Sequence, residues 1–480
     1  MENRCPATKK SIDSCGKEGR ANDMKRLWRK GNRILLAAAV IFLSGCFTSP
    51  EVIGDVRDLP QNHFSYVDPA TATQLLLHPQ QQALMDEYQD IMHFLPWEQE
   101  GPQTSLQDVE KLFAKFVSDP GYGENTRRRT KEEIIRLRNS ADLKGYPNRR
   151  LRGITVQSTD VRLLPTHRPH YSSPRQGYPF DNFQESTIGP NTPIYIAHLS
   201  KDGSWAFAES SFAAGWVRVS DIAYADQRFM KMWQSGIYGV AVKDKVPAVT
   251  AEGQSLFKVP LGSIFPLDPS AKGDEIRILA AVANETRRAV IRIVPVSGHA
   301  VVPKPLPLTP RQIAAISNEL INEPYGWGGM YANRDCSAMI RDIFAPFGIW
   351  LPRNSADQAR EGGTFMDLES LTPEEKEAMI LRFGKPYTTL LWRKGHIMLY
   401  IGSRGGKPLV FHNIWGIRTR DLLGREGRKV IGHAAITTLH PGMELSEADP
   451  RGDLLSNLSG MTFLAAPPGG ISLKPGIAAR

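Results

Sequence analysis

Cysteine is scarce in this chain, with four residues in 480. So few cannot staple a protein of this length into a disulfide scaffold. Long apolar runs are missing too. The most apolar stretch, Ile34 to Leu43, has ten residues, where a bilayer-crossing helix needs about 20. Paired cysteines and the His-x3-His spacing of a helical zinc site do not occur, so no catalytic metal or other cofactor is called for. Neither charge dominates: 59 Lys and Arg face 50 Asp and Glu, and much of the excess lies in the first 45 residues. The remainder is only mildly basic, which demands no nucleic-acid partner. The run Arg127-Arg128-Arg129-Thr130-Lys131 reads as a solvated helix face. With 41% hydrophobic and 23% charged residues, the composition is that of a globular protein of about three or four domains.

The N-terminus carries an address. Lys25, Arg26, Arg29, Lys30 and Arg33 precede the short apolar run, the order of a secretory leader. Met24 would place that basic segment at the extreme N-terminus and is the expected start. The run ends in Leu43-Ser44-Gly45-Cys46, which resembles the lipobox of bacterial lipoproteins. That resemblance implies cleavage before Cys46 and lipidation of its thiol. Phe47, where inner-membrane retention uses Asp, implies the outer membrane facing the periplasm. Cys5 and Cys15 then leave with the leader (1–45), and Cys336 is the one free thiol of the mature chain. A lone cysteine in an oxidising compartment is either inert or a nucleophile.

Residues 46–150 are expected to be helical. Val109, Leu112, Phe113, Phe116 and Val117 form one apolar helical stripe, and Glu132 to Arg138 suit a second helix. From 151 to 228 the texture turns to short strands, among them Ile154-Thr155-Val156, Pro193 to Ala197, Trp205-Ala206-Phe207 and Gly215 to Val219. A second β-rich stretch covers 229–300. Short strands at such spacing predict two small barrels. A proline-rich linker (301–310) leads to a helix capped by Thr309 with Pro310 at its first position. It opens the last domain, 311–480.

The chemistry concentrates there. Tyr325-Gly326-Trp327-Gly328-Gly329 is followed by Asp335-Cys336-Ser337, and then by Met339, Ile340, Ile343, Phe344 and Phe347 at helical spacing. Cys336 is thus expected at a helix N-terminus, a position that favours thiolate; Asp335 opposes it. Two strand-like segments, Gly395 to Gly402 and Val410 to Asn413, flank a turn at Gly405-Gly406. Pairing them about Arg404 sets His396 directly opposite His412. A thiol, an imidazole and a group that orients it make a nucleophile–base arrangement.

Together these motifs resemble the NlpC/P60 cell-wall cysteine peptidases. Upstream, Val161 to Thr166, Pro179 to Gln184, and Asp202 to Trp205 with Gly215-Trp216-Val217 resemble the bacterial SH3 domain of one branch of that family. The resemblance implies an α+β papain-like domain preceded by two small SH3-like β-barrels and a helical N-terminal region. It assigns Cys336 as nucleophile, His396 as base and His412 as the orienting third member, with Tyr325, Asp335, Ser337 and Ser355 lining the substrate pocket. Ala338 and Met398 depart from the usual smaller residues and could reshape that pocket. The implied reaction cuts peptidoglycan stem peptides between γ-D-glutamate and a diamino acid, with preference for a free N-terminal L-Ala. Asp335 is the first candidate partner for that ammonium, with Asp181 and Glu185 behind it. An N-acetylmuramoyl-L-alanine amidase, or an inert peptidoglycan-binding lipoprotein, are the alternatives.

Overall fold

The computed structural model describes residues 52–273 and 275–464. The leader and Cys46 lie outside the described residues. Four helices come first: α1 (Gly54–Asp58), α2 (Pro79–Glu98), α3 (Leu106–Ser118) and α4 (Lys131–Ala141). The stripe on α3 buries Val109, Phe113 and Phe116. A reciprocal capping box between Thr130 and Glu133 starts α4. The basic run precedes that helix instead of lying along it, and Arg129 is buried with its guanidinium donating to the Pro169 carbonyl.

Next come β1 (Leu151–Thr155), β2 (Thr159–Arg162), β3 (Gln184–Ile188), β4 (Pro193–Leu199), β5 (Trp205–Glu209), β6 (Ala214–Arg218) and β7 (Ile222–Tyr224). They form one seven-stranded sheet in the order β3-β2-β6-β5-β4-β1-β7. After the helix α5 (Gln227–Trp233) follow β8 (Tyr238–Ala241), β9 (Val246–Val249), β10 (Ser255–Val259), β11 (Ile264–Pro266), β12 (Ile276–Ala283), β13 (Ala289–Val296) and β14 (Val301–Pro303). These make three small sheets: β10-β9, β11-β8-β14 and β12-β13.

The expected pair of closed barrels is therefore not what forms. In the seven-stranded sheet β3 and β7 stay at opposite edges, and each is covered by other parts of the chain. Against β3, the Gln184 side-chain amide and the Thr187 hydroxyl donate to the carbonyls of Gly328 and Gly329. Against β7, the Tyr224 amide donates to Arg287. An edge covered by other parts of the chain is protected without closing on its opposite.

The last region is built from α6 (Pro310–Asn318), α7 (Cys336–Phe344), α8 (Ser355–Glu361), β15 (Gly363–Asp367), α9 (Pro373–Phe383), β16 (Thr389–Arg393), β17 (His396–Arg404), β18 (Lys407–Arg420), β19 (Glu426–Thr438) and β20 (Gly460–Leu464). Its sheet runs β15-β20-β16-β17-β18-β19. Thr309 caps α6 through the Gln312 amide. Met339, Ile340, Ile343 and Phe344 of α7 are fully buried, sharing a core with Ile397, Leu399, Ile401 and Phe411 of the sheet. That packing lays the N-terminus of α7 against the start of β17.

Candidate active site

Asp335 caps α7. Its side chain accepts from the amides of Ala338 (2.9 Å) and Gly328 (3.1 Å), from the Ser337 hydroxyl (3.2 Å), and from both Arg353 Nη atoms (3.1 and 2.6 Å). The close approach of Gly328 depends on its left-handed backbone (φ 57°), and a Cβ there would strike Gln184 at 2.7 Å. Burial pushes the Asp335 carboxyl up, but Arg353 outweighs it and the group stays below the usual carboxylate range. Arg353 also donates to Ser337 (2.9 Å) and, across to β3, to the Ser186 hydroxyl (2.8 Å). The sequence pointed to Ser355 in this segment and passed over Arg353. Ser355 opens α8 and shares none of these bonds.

Cys336 is the first residue of α7 and is buried. Burial, reinforced by the Asp335 charge, pushes its thiol up to about 12, while the backbone amides of Ile397 and Ser337 favour the thiolate. The Ile397 amide is the link to the histidines, since His396 is its neighbour in β17. No hydrogen bond among the described residues joins Cys336 to His396 directly. The thiol is neutral at rest. Its alkylation by iodoacetamide is therefore expected to accelerate about tenfold per pH unit from 7 to 10. A plateau already reached at pH 6 would show a preformed thiolate instead.

His396 and His412 meet, with Nε2 to Nδ1 at 2.8 Å, but not as a directly opposed pair. Leu399 pairs with Phe411, and a register shift falls between Tyr400 and Gly402. His412 thus comes opposite Met398 and lies diagonal to His396 on the same face. Burial lowers both imidazoles, His396 to about 3, so both are neutral.

The protons can be placed. The one hydroxyl hydrogen of Thr437 goes to the Thr438 carbonyl (2.7 Å), so Thr437 Oγ1 accepts from His412 Nε2 (3.0 Å). His412 Nδ1 is then bare and accepts from His396 Nε2–H, which leaves His396 Nδ1 with a free lone pair. Thr437 escaped the sequence reading because a strand threonine is ordinary by itself. Thr437→Val removes the acceptor; kcat is expected to fall about tenfold and Thr437→Ser to restore it. Steady-state kinetics on the three proteins checks this, and an undiminished Thr437→Val variant would contradict it.

Tyr325 is buried beside this group, its ring 6.0 Å from Trp415. Burial, Cys336 and Asp335 all push its phenol up. Glu185, on β3, senses both Arg353 and Asp335, and burial raises its carboxyl. Asp181 is committed to Arg162 at 2.7 Å and to the amides of His170 and Phe183. Among the described residues no group of three or more His, Cys, Asp and Glu is placed to hold a metal ion.

Comparison with known proteins finds domain matches along the chain. The NlpC/P60 family profile matches residues 322–418, and the N-terminal NlpC/P60 stabilising domain matches 34–146. SH3 domains of the SH3b1 and SH3b2 types match 169–218 and 226–272. No protein of curated function matches the sequence. Among solved structures, an NlpC/P60 endopeptidase from Photobacterium damselae subsp. piscicida is 25% identical. It covers 85% of this chain and 98% of its own, with a TM-score of 0.75. An NlpC/P60 family protein from Bacillus cereus is 16% identical, over 59% and 83%, with a TM-score of 0.41, too loose a likeness to bear on the fold. The cysteine-bearing helix and both histidines fall within the NlpC/P60 match, β3 to β6 within the SH3b1-type match and β8 to β11 within the SH3b2-type match.

Proposed function

We propose that this protein is a peptidoglycan stem-peptide hydrolase cutting between γ-D-glutamate and a diamino acid, with Cys336 as nucleophile. The observation that carries the reading is the Thr437–His412–His396 relay, which leaves a bare imidazole nitrogen one residue from the amide that faces the thiol. His396 Nδ1 takes the thiol proton as sulfur attacks the carbonyl, and an acyl-enzyme forms. The imidazolium then gives that proton to the leaving amine. His412 holds His396 in the tautomer required. Water, activated by the same imidazole, releases the acyl group.

The other end of the substrate is read by charge. Five donors occupy the Asp335 carboxylate, and Arg353 balances its charge. Glu185 has no hydrogen-bond partner among the described residues, and we assign it the free ammonium of N-terminal L-Ala, with Tyr325 and Ser337 lining the same pocket. A carboxylate placed for an ammonium discriminates against its acylated form. The parent is expected to prefer the free tripeptide over its N-acetyl form by about 100-fold in kcat/KM, and Glu185→Gln to reduce that preference to within about tenfold. An unchanged ratio in the variant would remove Glu185 from substrate recognition.

Among the described residues no helix is long and apolar enough to cross a membrane. The lipobox-like Leu43-Ser44-Gly45-Cys46 supports attachment through a lipid on Cys46 to a membrane of the bacterial envelope.

A further inference from the structure

The far ends of β18 and β19 form a two-stranded arm whose pairing runs from Gly416↔Val430 to Arg420↔Glu426. Its tip is tied to itself. The Asp421 amide donates to the Arg425 carbonyl and the Gly424 amide to the Asp421 carbonyl. The Asp421 side chain accepts from the amides of Leu423 and Arg425 and from the Arg425 guanidinium. This ordered turn points two leucines into solvent: Leu422 is 106% and Leu423 78% exposed, with Val430 behind them at 52%. Adjacent apolar side chains on a built tip have no role in the fold. Around them stand Arg418, Arg420, Arg425, Arg428, Lys429 and Arg451, against Asp421, Glu426 and Asp449, the last of which pairs with Arg418, Arg420 and Arg451, a surplus of three positive charges.

We propose that this arm docks on an anionic lipid bilayer, with Leu422 and Leu423 in the acyl boundary and the cations at the phosphates. An apolar tip backed by positive charge is complementary to that surface. A convex pair of leucines is too small to make a stable protein interface, which buries about 800 Å² per partner.

The test reads the tip alone, whatever the rest of the chain contributes to vesicle binding. Full-length protein carrying Cys46→Ser, with and without Leu423→Trp, is mixed with phosphatidylglycerol–phosphatidylethanolamine vesicles containing brominated acyl chains. The indole at position 423 is expected to shift blue and to lose at least about half its emission to bromine relative to the parent. Adding Arg425→Gln and Lys429→Gln, or replacing phosphatidylglycerol by phosphatidylcholine, is expected to restore most of that emission. Stem-peptide cleavage, unchanged by Leu423→Trp, reports the fold. An unquenched, water-exposed indole on the anionic vesicles would overturn the proposal and leave a protein as the partner of the arm. Equal quenching with and without anionic lipid would overturn its electrostatic half.

Discussion

Cys336→Ala is expected to lower turnover of a free stem peptide by on the order of 10⁴ or more while leaving the fold in place. The reason lies in what the substitution touches. Cys336 is the first residue of α7, where alanine suits the backbone, and the helix is capped by Asp335 and packed by Met339, Ile340 and Ile343. Only the sulfur leaves. Without it no acyl-enzyme forms, and the Thr437–His412–His396 chain has no proton to accept. Cys336→Ser should fall almost as far, because a hydroxyl at this buried, Asp-flanked position is harder still to ionise. The check is kcat/KM measured beside thermal unfolding. A Cys336→Ala variant that cuts at the parental rate would remove the nucleophile from the account.

The largest effect on stability is expected from Arg353→Met, about 3–5 kcal/mol, measured by urea unfolding. Arg353 and Asp335 pair at 2.6 Å with side chains only 6% and 11% exposed. Removing the guanidinium strands a buried carboxylate and cuts the hydrogen bond to Ser186 of β3, so this sheet and α7 loosen together. The pH dependence should change sign. In the parent, Asp335 is held below its unfolded value, so its contribution is complete above that value and fades as acid protonates it. In Arg353→Met the same carboxyl is pushed up by burial, and acid relieves the penalty. Adding Asp335→Asn should recover most of the loss. Equal losses in the single and double variants would show that the ion pair is not the source.

Elements with a local cause were legible in the sequence. The α7 stripe, the Thr309 cap and the strands bearing both histidines follow from periodicity and capping chemistry. What escaped depended on distant partners. Barrel closure failed as an expectation because strand patterns do not show what covers an edge, and the covering groups, Gly328 and Arg287, lie far along the chain from β3 and β7. Arg353 looked like one loop cation among many; its partner Ser186 is 167 positions away. The histidine pair and Thr437 are diagonal neighbours, Val410 standing opposite Thr437 and Ala435 opposite His412. Direct opposition about Arg404 brought the two histidines together in the wrong register, and it does not find Thr437. Asp335 drew attention by its charge, but its crowded hydrogen bonding and the freedom of Glu185 appear only when β3 is brought to α7.

The central claim is the bond that is cut. Mass spectrometry of the products from L-Ala-γ-D-Glu-diaminopimelate, with intact sacculi in parallel, tests it most directly. The account predicts L-Ala-D-Glu and free diaminopimelate from the tripeptide, formed by the parent and not by Cys336→Ala. Release of whole stem peptides from sacculi with the tripeptide left intact would mean an amidase, and would contradict it.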